Sequence, residues 1–140
     1  MTPCDIFLRG IWKIIPDETN LKAIDHLAKL PRTDRPCGDY GEIIRKMLEA
    51  GIPAADIARL RTIVGYETAF GMLYHMSDPV ASYEGFPPGE PDLCWKLEAL
   101  DGKTEKPVEG LGGAYESLLS RDPSGREMRP PGTSKPSKER

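Results

Sequence analysis

The stretch from Ala54 to Ser77 constrains this chain most. Pro53 opens it, Asp78 and Pro79 close it, and no proline interrupts it. Proline suits the first turn of a helix and breaks its interior, so the spacing predicts one unbroken helix, the longest in the chain. On a wheel of about 100° per residue, Ile57, Leu60, Ile63, Val64, Phe70, Gly71 and Tyr74 share one broad arc. From Tyr66 onward the opposite side is apolar as well, with Ala69, Met72, Leu73 and Met76. A helix that is apolar all round is expected at the centre of a fold.

Glu67 falls near the middle of that arc. A carboxylate there is expected to be buried or to line a cavity. Burying it unpaired costs several kcal/mol or forces it to stay protonated. It therefore needs partners. Gly71, one turn on, leaves room beside it, and Tyr74 lies two turns along the same face. Arg9, Arg45 or Arg126 could bring a cation, and Trp12 or Trp95 an indole N–H. Three roles compete. First is a structural latch that fixes how helices dock. Second is a small-molecule pocket formed by Glu67, Tyr74 and His75. Third is a general acid or base with a raised pKa. His75 lies eight residues after Glu67, outside the i, i+4 geometry of a zinc-binding HExxH motif, and reads as a boundary histidine.

The remaining elements are set by caps and breakers. Thr2, Pro3 and Asp5 spell a helix start, and Pro16 a stop. Along that helix Asp5, Arg9 and Lys13 fall together, with Ile6, Phe7, Ile11, Ile14 and Ile15 filling the rest of the wheel. "DETNLKAIDHLAKL" predicts a second helix with Leu21, Ile24, Leu27 and Ala28 inward and His26 facing solvent. "DYGEIIRKMLEAG" predicts a third, capped by Asp39, with Ile43, Ile44, Met47 and Leu48 inward and Gly51 as a left-handed stop. "VASYEGFPPGEPD" holds three prolines and reads as a stiff connector or a proline-motif ligand. "LCWKLEALDGKTEKPVEG" alternates like a half-buried strand, turns tightly at Asp101 and Gly102, and returns as an edge strand containing Pro107. "GAYESLLS" predicts a short helix anchored by Tyr115, Leu118 and Leu119, and "DPSG" a type I turn. The expected fold is thus mainly α (α+β). It has four main helices with the fourth long and central, one β-hairpin and a short C-terminal helix.

A chain of 140 residues suits one domain, here residues 1–123, large enough to bury a core without disulfides. Residues 124–140 are rich in Pro, Ser and basic side chains, and their low apolar content predicts a disordered tail. Net charge is −3. From Arg121 onward there are six basic and three acidic residues, so the tail is positive and the body strongly negative. An acidic body argues against a broad nucleic-acid surface. Arg126 and Arg129, close together around a turn, are candidates to dock an acidic partner protein or to fold back onto the body.

Several chemistries lack their residues. Cys4, Cys37 and Cys94 form no CxxC pair and read as free thiols, with neither a disulfide framework nor metal-ligand spacing. "GLGGAYESLL" lacks the third glycine of a dinucleotide loop and the Lys-Ser/Thr of a P-loop. There is no GxSxG elbow and no Cys-His arrangement. No cofactor is expected. No apolar run reaches the roughly 18 residues of a membrane span, and "MTPCDIFLRG" lacks the parts of a secretory signal. A cytoplasmic protein is expected.

The order of "IIPDE", "IARLRTIVGYETAFGMLYHM", "WKLEALDG" and "ESLLSRDPSGREMRP" resembles small hypothetical proteins from bacterial genomes, over roughly residues 11–131. The resemblance implies a bacterial-type single-domain protein and brings no site residue or cofactor with it. The leading expectation is a non-catalytic interaction or regulatory module that binds another protein through its tail. The alternative is a small-molecule-binding or hydrolytic protein with its pocket at Glu67, Tyr74 and His75.

Overall fold

Helix α1 (Pro3–Ile14) starts with a reciprocal cap. The Asp5 backbone N–H donates to Thr2 Oγ1 at 3.1 Å, and the Thr2 N–H donates to Asp5 Oδ2 at 2.9 Å. The computed structural model describes residues 1–77 and 95–132. Among them the protein is mainly α, with α2 (Leu21–Ala28), α3 (Tyr40–Glu49), α4 (Ala54–Ser77) and the short α5 (Ala114–Leu118), which runs into a 3-10 turn, Leu119–Arg121. Strands β1 (Glu98–Leu100) and β2 (Pro107–Gly110) form one antiparallel hairpin. The expected proline-rich connector, the start of the expected first strand at Leu93 and Cys94, and tail residues 133–140 lie outside the described residues.

Two compact units divide the chain, one comprising Ile15–Tyr66 and the other Met1–Ile14 with Glu67–Arg140. In the first, Ile24, Ile44, Ile57 and Ala58 form the core, with Leu27, Tyr40, Met47 and Leu48 packed against it. Asn20 caps α2 by accepting the Ala23 N–H at 3.2 Å. The far end of α2 is closed by α3: Arg45 Nη1 donates to the carbonyls of Ala28 and Leu30, both at 2.8 Å, satisfying acceptors a helix end leaves open. Gly51, at φ 84°, ends α3. Its N–H bonds the Leu48 carbonyl and the Ile52 N–H bonds that of Met47, the paired bonds of a Schellman stop. Asp39 precedes α3, but its side chain makes no capping bond, and Ile43 is exposed rather than inward. Leu21 is likewise exposed at the start of α2, while His26 faces solvent as expected.

Helix α4 has the expected bounds, but of the expected inward arc only Ile57 is fully buried in this unit. Within this unit its buried residues are Ile57, Ala58 and Thr62, while Leu60 is 49% and Val64 51% exposed. Small side chains made the choice. Ala58, Thr62 and Gly65 recur at i, i+4 and i+7: Ala58 joins the Ile24 and Ile44 cluster, and the Ile15 and Pro16 segment lies against Thr62 and Gly65. A Cβ on Gly65 would come within 2.9 Å of Pro16 Cδ. Thr62 Oγ1 is 2.7 Å from the Pro16 carbonyl and 3.1 Å from that of Ala58, so the hydroxyl is satisfied although buried.

In the second unit Leu8, Trp12, Leu73, Leu111, Ala114 and Leu118 are buried. Helix α1 packs on α5, the 3-10 turn and β2. It does so through Leu8 and Trp12, one turn apart, rather than through Ile6 and Ile14, which are exposed. The Trp12 indole N–H donates to the Leu118 carbonyl at 3.0 Å. The hairpin pairs Glu98 with Gly110, Ala99 with Glu109 and Leu100 with Pro107, with an irregularity between Ala99 and Leu100. Its connection is a wider loop, residues 101–106, rather than a tight turn at Asp101 and Gly102. Asp101 Oδ1 accepts the N–H groups of Lys103 and Thr104 and the Thr104 hydroxyl, and these bonds hold its carboxyl below the ordinary value. Asp122 organises the last described segment in the same way. It accepts from the Ser124 and Met128 N–H groups, and the Gly125 N–H closes the expected turn on the Asp122 carbonyl at 2.9 Å.

Candidate functional site

The cap that starts α1 also builds the wall of a groove. Asp5, Arg9 and Lys13 follow one another at i+4 spacing, so one stripe of α1 is polar and charged. The stripe borders Trp12, held in place by its bond to Leu118. The 3-10 turn after α5 brings Arg121 to the same place, with Arg121 Nη2 2.5 Å from Asp5 Oδ1. Met1 and Pro123 complete an open groove of about 620 Å³. Its apolar surface comes from Met1 and Pro123 and the small exposed part of the otherwise buried Trp12, and its charge from Arg9, Lys13, Arg121 and Asp5.

The electrostatics of the groove are uneven. The Thr2 backbone N–H, then the Thr2 hydroxyl, hold the Asp5 carboxyl below its ordinary value, and Arg121 adds a smaller pull in the same direction. Asp5 is thus an anion already engaged by its own helix and by Arg121. Arg9 and Lys13 are exposed, and neither has a hydrogen bond or ion pair among the described residues. Beside the groove, the Cys4 N–H donates to Glu109 Oε2 at 3.1 Å, tying β2 to the first turn of α1. Burial, then Glu109, push the Cys4 thiol up, which keeps it protonated and weakly nucleophilic. Cys4 and Cys37 are both free thiols, and Cys94 lies outside the described residues. Among the described residues no three His, Cys, Asp or Glu side chains gather to hold a metal ion.

The residues singled out from sequence are placed differently. Glu67 is exposed, with no hydrogen bond or ion pair among the described residues, so the expected buried carboxylate is corrected. Leu60, Val64, Glu67 and Gly71 do share a face, as the wheel indicates, but that face points outward and Gly71 borders open space. Arg45 is engaged with the α2 carbonyls. Tyr74 is half-buried, its ring centroid 5.0 Å from that of Tyr115 and 6.3 Å from that of Phe70. The His75 ring lies 4.9 Å from the Trp95 ring, and the Trp95 indole N–H donates to the His75 carbonyl at 2.9 Å. Tyr74 and His75 thus belong to aromatic contacts that pack α4 against α5 and the segment before β1. Arg126 and Arg129 are brought together: Arg126 Nη1 donates to the Arg129 carbonyl at 2.5 Å, Arg129 Nη1 returns a bond to the Arg126 carbonyl at 3.0 Å, and Arg129 also pairs with Glu127 at 2.9 Å.

The cations of the groove are therefore Arg9, Lys13 and Arg121; of these the sequence singles out only Arg9, and as a partner for Glu67. The sequence held part of the signal in the stripe of Asp5, Arg9 and Lys13. Arg121, more than a hundred positions away, gave none. Compared with protein-family models, curated proteins and solved structures, the chain finds no match. Among the described residues no helix is long and apolar enough to cross a membrane.

Proposed function

We propose that the chain is a small interaction module that docks another protein in the groove along α1 and catalyses no reaction on it. The groove itself carries this reading: an apolar surface at Met1, Trp12 and Pro123 set among Arg9, Lys13, Arg121 and Asp5. Protein interfaces combine an apolar anchor with a polar rim in this way. The groove is also held in shape before any partner arrives. The cap fixes the start of α1, the Trp12 indole is bonded to Leu118, and Arg121 is tied to Asp5. Pre-organisation of this kind lowers the entropy lost on binding.

Selection of displayed random peptides against the folded chain tests the reading, with each recovered peptide mapped by amide NMR shifts. The expected footprint covers α1 and residues 119–123. Recovery of no peptide, or footprints confined elsewhere, would overturn it.

A further inference from the structure

The charges around the groove narrow the kind of partner, on the reading that the groove is a docking site. Three cations, Arg9, Lys13 and Arg121, border it against one carboxylate, Asp5. Asp5 is already used twice, in the α1 cap and in the pair with Arg121. Arg9 and Lys13 have no partner among the described residues. This local excess of positive charge stands on a chain whose net charge is −3. We infer that the groove takes an acidic segment of a partner protein, whose carboxylates pair with Arg9 and Lys13 while an adjoining apolar side chain lies on Met1 and Pro123, beside the small exposed part of Trp12.

The spacing suits such a segment. Residues four apart on a helix are about 6 Å apart along its axis. Alternate side chains of an extended peptide are about 6.7 Å apart and point the same way. Two acidic residues separated by one other therefore match the interval between Arg9 and Lys13. Arg121, displaced from Asp5 or shared with it, offers a forked donor to a third carboxylate. A nucleic-acid strand suits the surface less well. Its phosphates would continue beyond three cations onto an acidic body, and the described cations of the tail, Arg126 and Arg129, are turned onto each other's carbonyls.

The test uses the full chain and three fluorescein-labelled probes: a glutamate-rich peptide around a central leucine, its glutamine twin, and a single-stranded oligothymidylate. Binding is read by anisotropy, and its location by amide NMR shifts. The glutamate peptide should shift α1 and residues 119–123 and bind about tenfold more tightly than the glutamine twin, the size expected of two partly exposed ion pairs. The advantage should shrink with added salt. Arg9→Glu with Lys13→Glu should abolish it, and Arg9→Gln with Lys13→Gln should remove most of it, the glutamine pair with its thermal melt little changed because both positions are exposed. Equal binding of the two peptides in the groove would overturn the acidic partner while leaving the docking reading intact. Failure of both peptides to shift α1 would overturn the acidic partner, and the docking reading falls separately if the peptide selection is also empty. A groove footprint from the oligothymidylate alone would overturn the acidic peptide in favour of nucleic acid.

Discussion

Replacing Gly41 by alanine tests whether α2 and α3 meet backbone to backbone. A Cβ built on Gly41 falls 2.4 Å from the Leu30 carbonyl oxygen, 2.7 Å from that of Leu27 and 2.9 Å from Leu30 Cβ. A carbon sits comfortably at about 3.3 Å or more from a carbonyl oxygen, so α3 must move by about 1 Å. The two nearest obstacles are backbone atoms and cannot rotate away. Overpacking of this kind costs roughly 1–3 kcal/mol, offset by at most about 1 kcal/mol from the better helix propensity of alanine. Withdrawal of α3 also stretches the Arg45 bonds to Ala28 and Leu30, which pushes the cost toward the upper end. A net loss of about 1–2 kcal/mol is expected, read as a lower urea midpoint at unchanged slope. Gly71→Ala is the control: Gly71 lies within α4 with open space around it, and alanine there should stabilise by about 0.5–1 kcal/mol. Because Gly41 and Arg45 press on the same turn of α2, Arg45→Met should cost less in the Gly41→Ala background than alone. A Gly41→Ala midpoint at or above that of the parent would refute the close approach.

Glu42 accepts Lys46 Nζ at 2.6 Å and Arg32 Nη1 at 2.5 Å, and these bonds, that from Lys46 first, lower its carboxyl from 4.5 to about 2. A depressed carboxyl stabilises the fold above its unfolded pKa and loses that contribution as pH falls. The stability gap between parent and Glu42→Gln should therefore be constant above pH 4.5 and close toward about 2, and a gap independent of pH would contradict the pairing. Trp12→Phe removes the indole donor and strands the carbonyl of Leu118, which is fully buried. It should cost about 1–3 kcal/mol in urea unfolding, and an unchanged midpoint would show that the bond carries no stability. Glu67→Met should change stability by no more than about 0.5 kcal/mol, as for other exposed, unpartnered sites. A loss of several kcal/mol in a thermal melt would return Glu67 to the role of a buried latch.

Features that depend on a few neighbouring residues were determined by the sequence itself. Thr2, Pro3 and Asp5 start α1, Gly51 stops α3, and Pro53 precedes the start of α4, because caps, positive φ and the missing proline N–H act within one turn. The mainly α class and the hairpin follow from the same local chemistry. The tertiary structure alone decided which side of α4 is buried. Leu60, Val64 and Glu67 share a face in either case, and that face turns outward because Ala58 packs with Ile24 and Ile44 while the Ile15 and Pro16 segment fits against Thr62 and Gly65. The groove was half legible. Periodicity grouped Asp5, Arg9 and Lys13 on one stripe of α1, but the pairing of Arg121 with Asp5 arises when α5 packs on α1 and the 3-10 turn follows it. Local chemistry sets where a helix begins and ends. What its faces meet depends on shape complementarity between segments remote in the chain, which no single helix encodes.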